Sequence, residues 1–195
     1  MPDELDAKRL TLSSLTVKTV VVHTVTYFVA GVLAYTVGGY EKTFSQPPLS
    51  YFMRPTSDRW VMAGPLFQPL RGVIFALALY PLRSVLFAER RGWLTLWWLL
   101  FALGVLSTFG PAPGSVEGLI YTNIPPLAQM LGLWEVLLQS FLLSVVVFHW
   151  VTHPEKRWLN WTLGIAFCIV MILPLLGLLL AQPLSRATPG GNHTV

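Results

Sequence analysis

The chain has 195 residues, 54% of them hydrophobic and 11% charged, with a formal net charge of +4. Soluble domains carry about 25% charged residues, so there is too little polar material here to cover a water-facing surface, and most of that surface must meet lipid. The basic residues are scattered between apolar runs, which excludes nucleic acid as a partner and reads as membrane topology.

The lone cysteine, Cys168, excludes an intrachain disulfide, a thiolate metal cluster and covalent c-type haem attachment, all of which need a second one. The opening stretch MPDELDAKRLTLSS is polar and mixed in charge, unlike a cleaved signal peptide. The first apolar segment is therefore expected to stay as a transmembrane helix.

A helix needs about 20 residues to cross roughly 30 Å of hydrocarbon. Five apolar segments follow one another, near residues 17–37, 65–88, 93–109, 131–152 and 158–181, separated by longer loops at 38–64 and 110–130 and flanked by short polar termini. The predicted fold is all-α, a single polytopic transmembrane helical bundle of about five spans. Four spans result if the second lies at the interface, and six if the 110–130 loop forms a re-entrant hairpin. Counting basic residues orients it. Lys8, Arg9, Lys18, Arg83, Arg90, Arg91, Lys156 and Arg157 fall on one side, and Lys42, Arg54, Arg59, Arg71 and Arg186 on the other. This asymmetry predicts a cytoplasmic N-terminus, in a plasma or bacterial inner membrane.

In span one, Thr16, Thr19, His23, Tyr27, Ala30 and Ala34 project to one side. Small and hydroxyl-bearing residues of this kind suit helix–helix contact. The loop that follows carries Tyr40, Phe44, Tyr51, Phe52 and Trp60, fit either for the headgroup layer or for a partner subunit. Span two poses a physical problem. Eleven residues, GVIFALALYPL, separate Arg71 from Arg83, and a helix of that length covers only about 16 Å. One arginine must lie at hydrocarbon depth; Arg83 can snorkel toward Arg90 and Arg91, which leaves Arg71 in the outer half. Trp93, Trp97, Trp98, Trp158 and Trp161 form an interfacial belt near the predicted inner face.

The segment Ser107–Pro126, STFGPAPGSVEGLIYTNIPP, holds one acid, Glu117, and no cation. In span four, Glu135, Gln139, His149 and His153 share a face. A charge at membrane depth is costly unless paired or hydrated; Glu117 and Glu135 are the candidate partners of Arg71, and GPAPGSVEG is expected to fold back into the bundle mouth and deliver Glu117 to it. Such an ion pair would fix helix register, or the same residues would line an outward-facing pocket together with Gln68, Gln139, Tyr121 and Asn123. His23 and His149 lie at similar predicted depth and are candidate axial ligands for a b-type haem; no other cofactor and no metal site is expected. HExxH, GxSxG, P-loop and GxGxxG motifs are absent from the sequence, and no nucleophile stands beside a base.

Three functions follow from these residues. One is binding or transport of a lipid or a small polar, anionic ligand at the Arg71 pocket, since arginine in an apolar mouth binds phosphate or carboxylate well. The second is a structural or accessory subunit of a larger membrane complex or homo-oligomer. The third is a haem-binding electron carrier. Membrane lipids are the expected partners throughout.

Overall fold

The computed structural model describes residues 10–180 apart from Pro48 and Phe52. Lys8, Arg9 and Arg186 therefore lie outside the described residues. Every regular element among those described is helical, and the fold is an all-helical bundle.

Helix α1, Leu12–Gly38, starts where the Thr11 side chain accepts from the Ser14 N–H at 3.3 Å. It ends at Gly39, whose φ of 58° is the left-handed turn that glycine adopts without penalty. That turn throws the chain directly into the short α2, Tyr40–Phe44. Asp58 caps α3, Arg59–Met62, by accepting from the Trp60 N–H at 2.7 Å. This bond, with help from Arg54 at 3.1 Å, holds the partly exposed Asp58 carboxyl below its usual range.

Residues Gly64–Leu86 form one continuous apolar pass. It opens with a 3₁₀ turn at Gly64–Phe67, continues as α4, Gln68–Leu79, passes through a second 3₁₀ turn at Tyr80–Leu82 and closes as α5, Arg83–Leu86. Pro65, Pro69 and Pro81 sit in the opening turns of these pieces, where a missing N–H costs little. The two arginines settle without shortening the helix. The Arg83 guanidinium lies 4.1 Å from the Tyr80 ring centroid and donates to Tyr80 O at 3.0 Å. Arg71 lies 5.6 Å from the Phe75 ring.

Helix α6, Gly92–Phe101, runs on into a π-helical turn at Ala102–Leu106. A six-residue helix α7, Val116–Tyr121, precedes α8, Pro126–Thr152. Helix α9, Arg157–Leu180, completes the bundle and tolerates Pro174 in its interior.

Helix α1 is the hub, packing against α4, α8 and α9, while α6 packs on α8. Leu15, Leu86, Phe87, Trp150 and Leu159 meet in one cluster. At the other end Tyr40 reaches Glu135, and a Cβ on Gly177 would lie 3.6 Å from Met62 Cε. Thus α1 and α9 run one way, and α4 and α8 run back. The first end also carries Lys18, Arg83, Arg90, Arg91, Lys156 and Arg157 and is called the basic end below; the other is the Glu135 end.

Four of these passes, Leu12–Gly38, Gly64–Leu86, Pro126–Thr152 and Arg157–Leu180, are long and apolar enough to cross a membrane. Their outer faces expose Val32, Leu33, Ile74, Leu77, Ile169 and Ile172, which water would not tolerate in such density. The protein is a membrane protein. Gly92–Leu106, the counterpart of the expected 93–109 span, is apolar but shorter. Its ten α-helical residues and five-residue π turn cover roughly 20 Å, because the chain leaves the helix at Ser107, ahead of Gly110 and Pro111.

Helices α1 and α4 approach most closely at Gly72. A Cβ there would lie 2.6 Å from Val20 Cα and 3.2 Å from Val20 N. Gly72→Ala is expected to lower stability by about 1–3 kcal/mol through forced separation of the two backbones. Gly31→Ala, where a Cβ meets nothing within 4 Å, serves as the control and should not destabilise. Thermal denaturation in detergent measures both; equal effects would remove the close approach as a determinant of packing.

Candidate functional site

A polar layer crosses the bundle between α1, α4 and α8 toward the Glu135 end. His23 on α1 is fully buried. Its Nε2 donates to Gln68 Oε1 at 3.1 Å, and Gln68 Nε2 donates in turn to Gly64 O at 3.0 Å. The imidazole stands edge-on to Phe75, with centroids 4.9 Å apart, and tilted to Tyr27 at 6.4 Å. Its Nδ1 is buried and has no hydrogen-bond partner among the described residues. A buried acceptor left in this state costs about 1–3 kcal/mol.

Helical spacing builds the rest. Arg71 follows Gln68 by three residues and precedes Phe75 by four, so all three share one face of α4. The Arg71 side chain is exposed. Tyr27 lies one turn beyond His23, and a Cβ on Gly64 would come within 3.4 Å of its hydroxyl.

Glu135 is partly buried and accepts a hydrogen bond from the Tyr40 hydroxyl. The left-handed turn at Gly39 is what brings Tyr40 back over the bundle to make it. Burial, and then this bond to the carboxylate, push the Tyr40 phenol above the usual tyrosine range, so it stays a donor. Among the described residues Arg71 forms no ion pair; the one salt bridge found joins Arg54 and Asp58.

The structure therefore joins Gln68 to His23, with Arg71 on the same face of α4 as Gln68, and separately joins Glu135 to Tyr40. Gln139 lies one turn along α8 from Glu135, partly buried. Glu117 stands in the first turn of α7, and no hydrogen bond or ion pair joins it to Arg71 among the described residues. Tyr121 and Asn123 are exposed at the far end of α7. Tyr27 was legible as the residue one turn on from His23, but the Tyr40 contact, across 95 residues of chain, had no sequence signal.

Gln129 explains the uncharged loop that α7 belongs to. It is 2% exposed. Its Oε1 accepts from the Gly114 N–H at 3.0 Å, while its Nε2 donates to Ile124 O at 2.8 Å and shares its other N–H between Thr122 Oγ1 at 3.2 Å and Gly118 O at 3.3 Å. One amide thus satisfies the backbone of a non-helical segment at the end of a membrane bundle, where water is scarce. An acid or a cation could not play both donor and acceptor. Because the loop is held by this amide, Glu117 is not needed to hold it.

The two histidines considered as haem ligands have separate surroundings. His23 faces α4, as above. His149 Nε2 lies 3.1 Å from Lys156 Nζ, and its ring stacks on His153 at 4.2 Å in the α8–α9 turn. Thr19 Oγ1 and Trp97 Nε1 are further buried polar atoms without a partner among the described residues.

Gln129→Leu is expected to free the 114–124 segment. Losing these bonds leaves the Gly114 N–H and the Ile124 carbonyl unsatisfied, at about 1–3 kcal/mol. Amide exchange at Gly114 should then rise by about tenfold or more in hydrogen-exchange mass spectrometry. Exchange unchanged from wild type would show that the loop is held by other contacts.

No protein-family model matches this chain, and no curated protein or solved structure is significantly similar to it. Function must be argued from the chemistry of the site.

Proposed function

We propose that this is an integral membrane protein that binds, and in transport releases, a small anionic ligand or an anionic lipid headgroup at the Arg71 layer. The observation that carries the reading is the state of Arg71. A structural ion pair would place a carboxylate on it, yet Glu135 is engaged by Tyr40 and no carboxylate pairs with Arg71 among the described residues. An exposed guanidinium on an apolar helix, flanked by Phe75, offers bidentate donors to a phosphate or carboxylate.

Placement in the cell follows the distribution of basic residues. With the basic end in the cytoplasm of a plasma or bacterial inner membrane, the Arg71 layer opens outward. The short α6 segment then makes a fifth pass by thinning the bilayer locally beside it.

Arg71→Ala is expected to lower ligand retention by about tenfold or more, the scale of a lost charge-assisted hydrogen bond. Arg71→Lys should recover part of it, since lysine keeps the charge without the planar fork. Native mass spectrometry of the protein extracted in its own lipids reads both. Retention by Arg71→Ala equal to wild type would end the proposal.

A further inference from the structure

A recess lies at the basic end, away from the Arg71 layer. It is a groove of about 560 Å³ between the first turns of α1 and α9, with α8 as its floor. Ser13, Ser14 and Lys18 line one wall, Asn160 and Gly164 the other, and Trp150 lies between them. The floor is closed by two bonds. Lys18 Nζ donates to Trp150 O at 3.1 Å, and Trp150 Nε1 donates to Asn160 Oδ1 at 2.6 Å.

The bonds leave the groove rich in donors. An ammonium group has three N–H bonds, and one of those on Lys18 is used among the described residues. With its oxygen engaged by Trp150, the Asn160 side chain presents its amide N–H groups. The Ser13 and Ser14 hydroxyls complete the set, and no carboxylate among the described residues lines the groove. Below these donors the walls turn apolar at Val17 and Val21. Gly164 leaves the channel open, because a Cβ there would meet nothing within 4 Å.

Donors above an apolar channel match a ligand with an anionic head and a hydrocarbon tail. The position fits as well. Trp158 and Trp161 on the first turns of α9 are 60% and 73% exposed, as residues of the headgroup layer are; Arg157 begins that helix and Lys156 precedes it. We propose that this groove is a binding site for one anionic phospholipid, with its phosphate on Lys18, Ser13, Ser14 and Asn160 and the start of an acyl chain along Val17, Val21 and Gly164. The choline of a zwitterionic lipid would instead set a second cation beside Lys18. The site depends on the chain lying in a membrane and is independent of Arg71.

The test is native mass spectrometry of the full chain in non-ionic detergent, titrated with phosphatidylglycerol, with phosphatidylcholine of the same acyl chains, and with inorganic phosphate. Wild type should retain phosphatidylglycerol in preference to phosphatidylcholine. Lys18→Gln should lower that retention about fivefold, the scale of one surface lysine on an anionic lipid. Gly164→Leu, which fills open space and raises helix propensity, should block both lipids while keeping the fold. Arg71→Ala should leave phosphatidylglycerol retention at this site unchanged, so the two sites fail separately. Equal retention of the two lipids by wild type would overturn the proposal. So would wild-type retention in both Lys18→Gln and Gly164→Leu, or displacement of the lipid by equimolar phosphate, which would assign the groove to a free anion. If Lys18→Gln does not fold, Gly164→Leu decides alone.

Discussion

The buried bond between His23 and Gln68 joins α1 to α4 at a depth where water offers no substitute partner. Polar groups in a hydrocarbon environment must find each other, or they cost several kcal/mol each. That constraint sets the register of the α1–α4 contact. Gly72 on α4 lies against Val20 one turn from His23 on α1, and its missing side chain lets the two backbones come close enough for the bond to form. In lipid no hydrophobic force drives helices together, so close backbone packing and interhelical hydrogen bonds have to do so. Helix α1 supplies both, which is why it can sit against three other helices.

Much of the remaining polar architecture follows from the same scarcity of water. Thr24 and Thr26 return their hydroxyls to α1's own carbonyls at 2.8 Å, as does Ser144 within α8 at 2.7 Å. Gln129 serves the loop before α8 in the way that solvent serves a loop in a soluble protein. Against this background, and among the described residues, Arg71 stands out for having an aromatic neighbour and no carboxylate, and Lys18 for spending a single bond on a neutral carbonyl. The two cations lie toward opposite ends of the bundle, and each has apolar surface beneath it. That arrangement suits amphiphilic or anionic ligands better than it suits a filled, static network.

The sites differ in how they are built. Around Arg71 the groups come from three helices and a turn, so their geometry depends on the whole α1–α4–α8 packing and on Gly39. The basic-end groove comes from first turns of two helices resting on Trp150, and depends on fewer contacts. Damage to the bundle core would disturb the former first.

Sequence alone determined the solvent of this protein. The low charge, the repeated apolar runs and the basic asymmetry allow nothing but a helical membrane bundle, because a bilayer accepts very few backbone solutions and composition reports the bilayer directly. It also located the residues with a cost to offset, Arg71, Glu135, His23 and Gln68, since a polar side chain in an apolar run is visible without coordinates. Partnership was decided by tertiary structure. Whether Glu135 met Arg71 or Tyr40 depended on a left-handed turn at Gly39 and on the rotation of α8. The role of Gln129, an ordinary polar residue near a helix start, depended on the loop folding back over it. Apolar periodicity states which residues face inward, but the rotation and depth of each helix relative to its neighbours come from close packing across long chain separations, which no local pattern encodes.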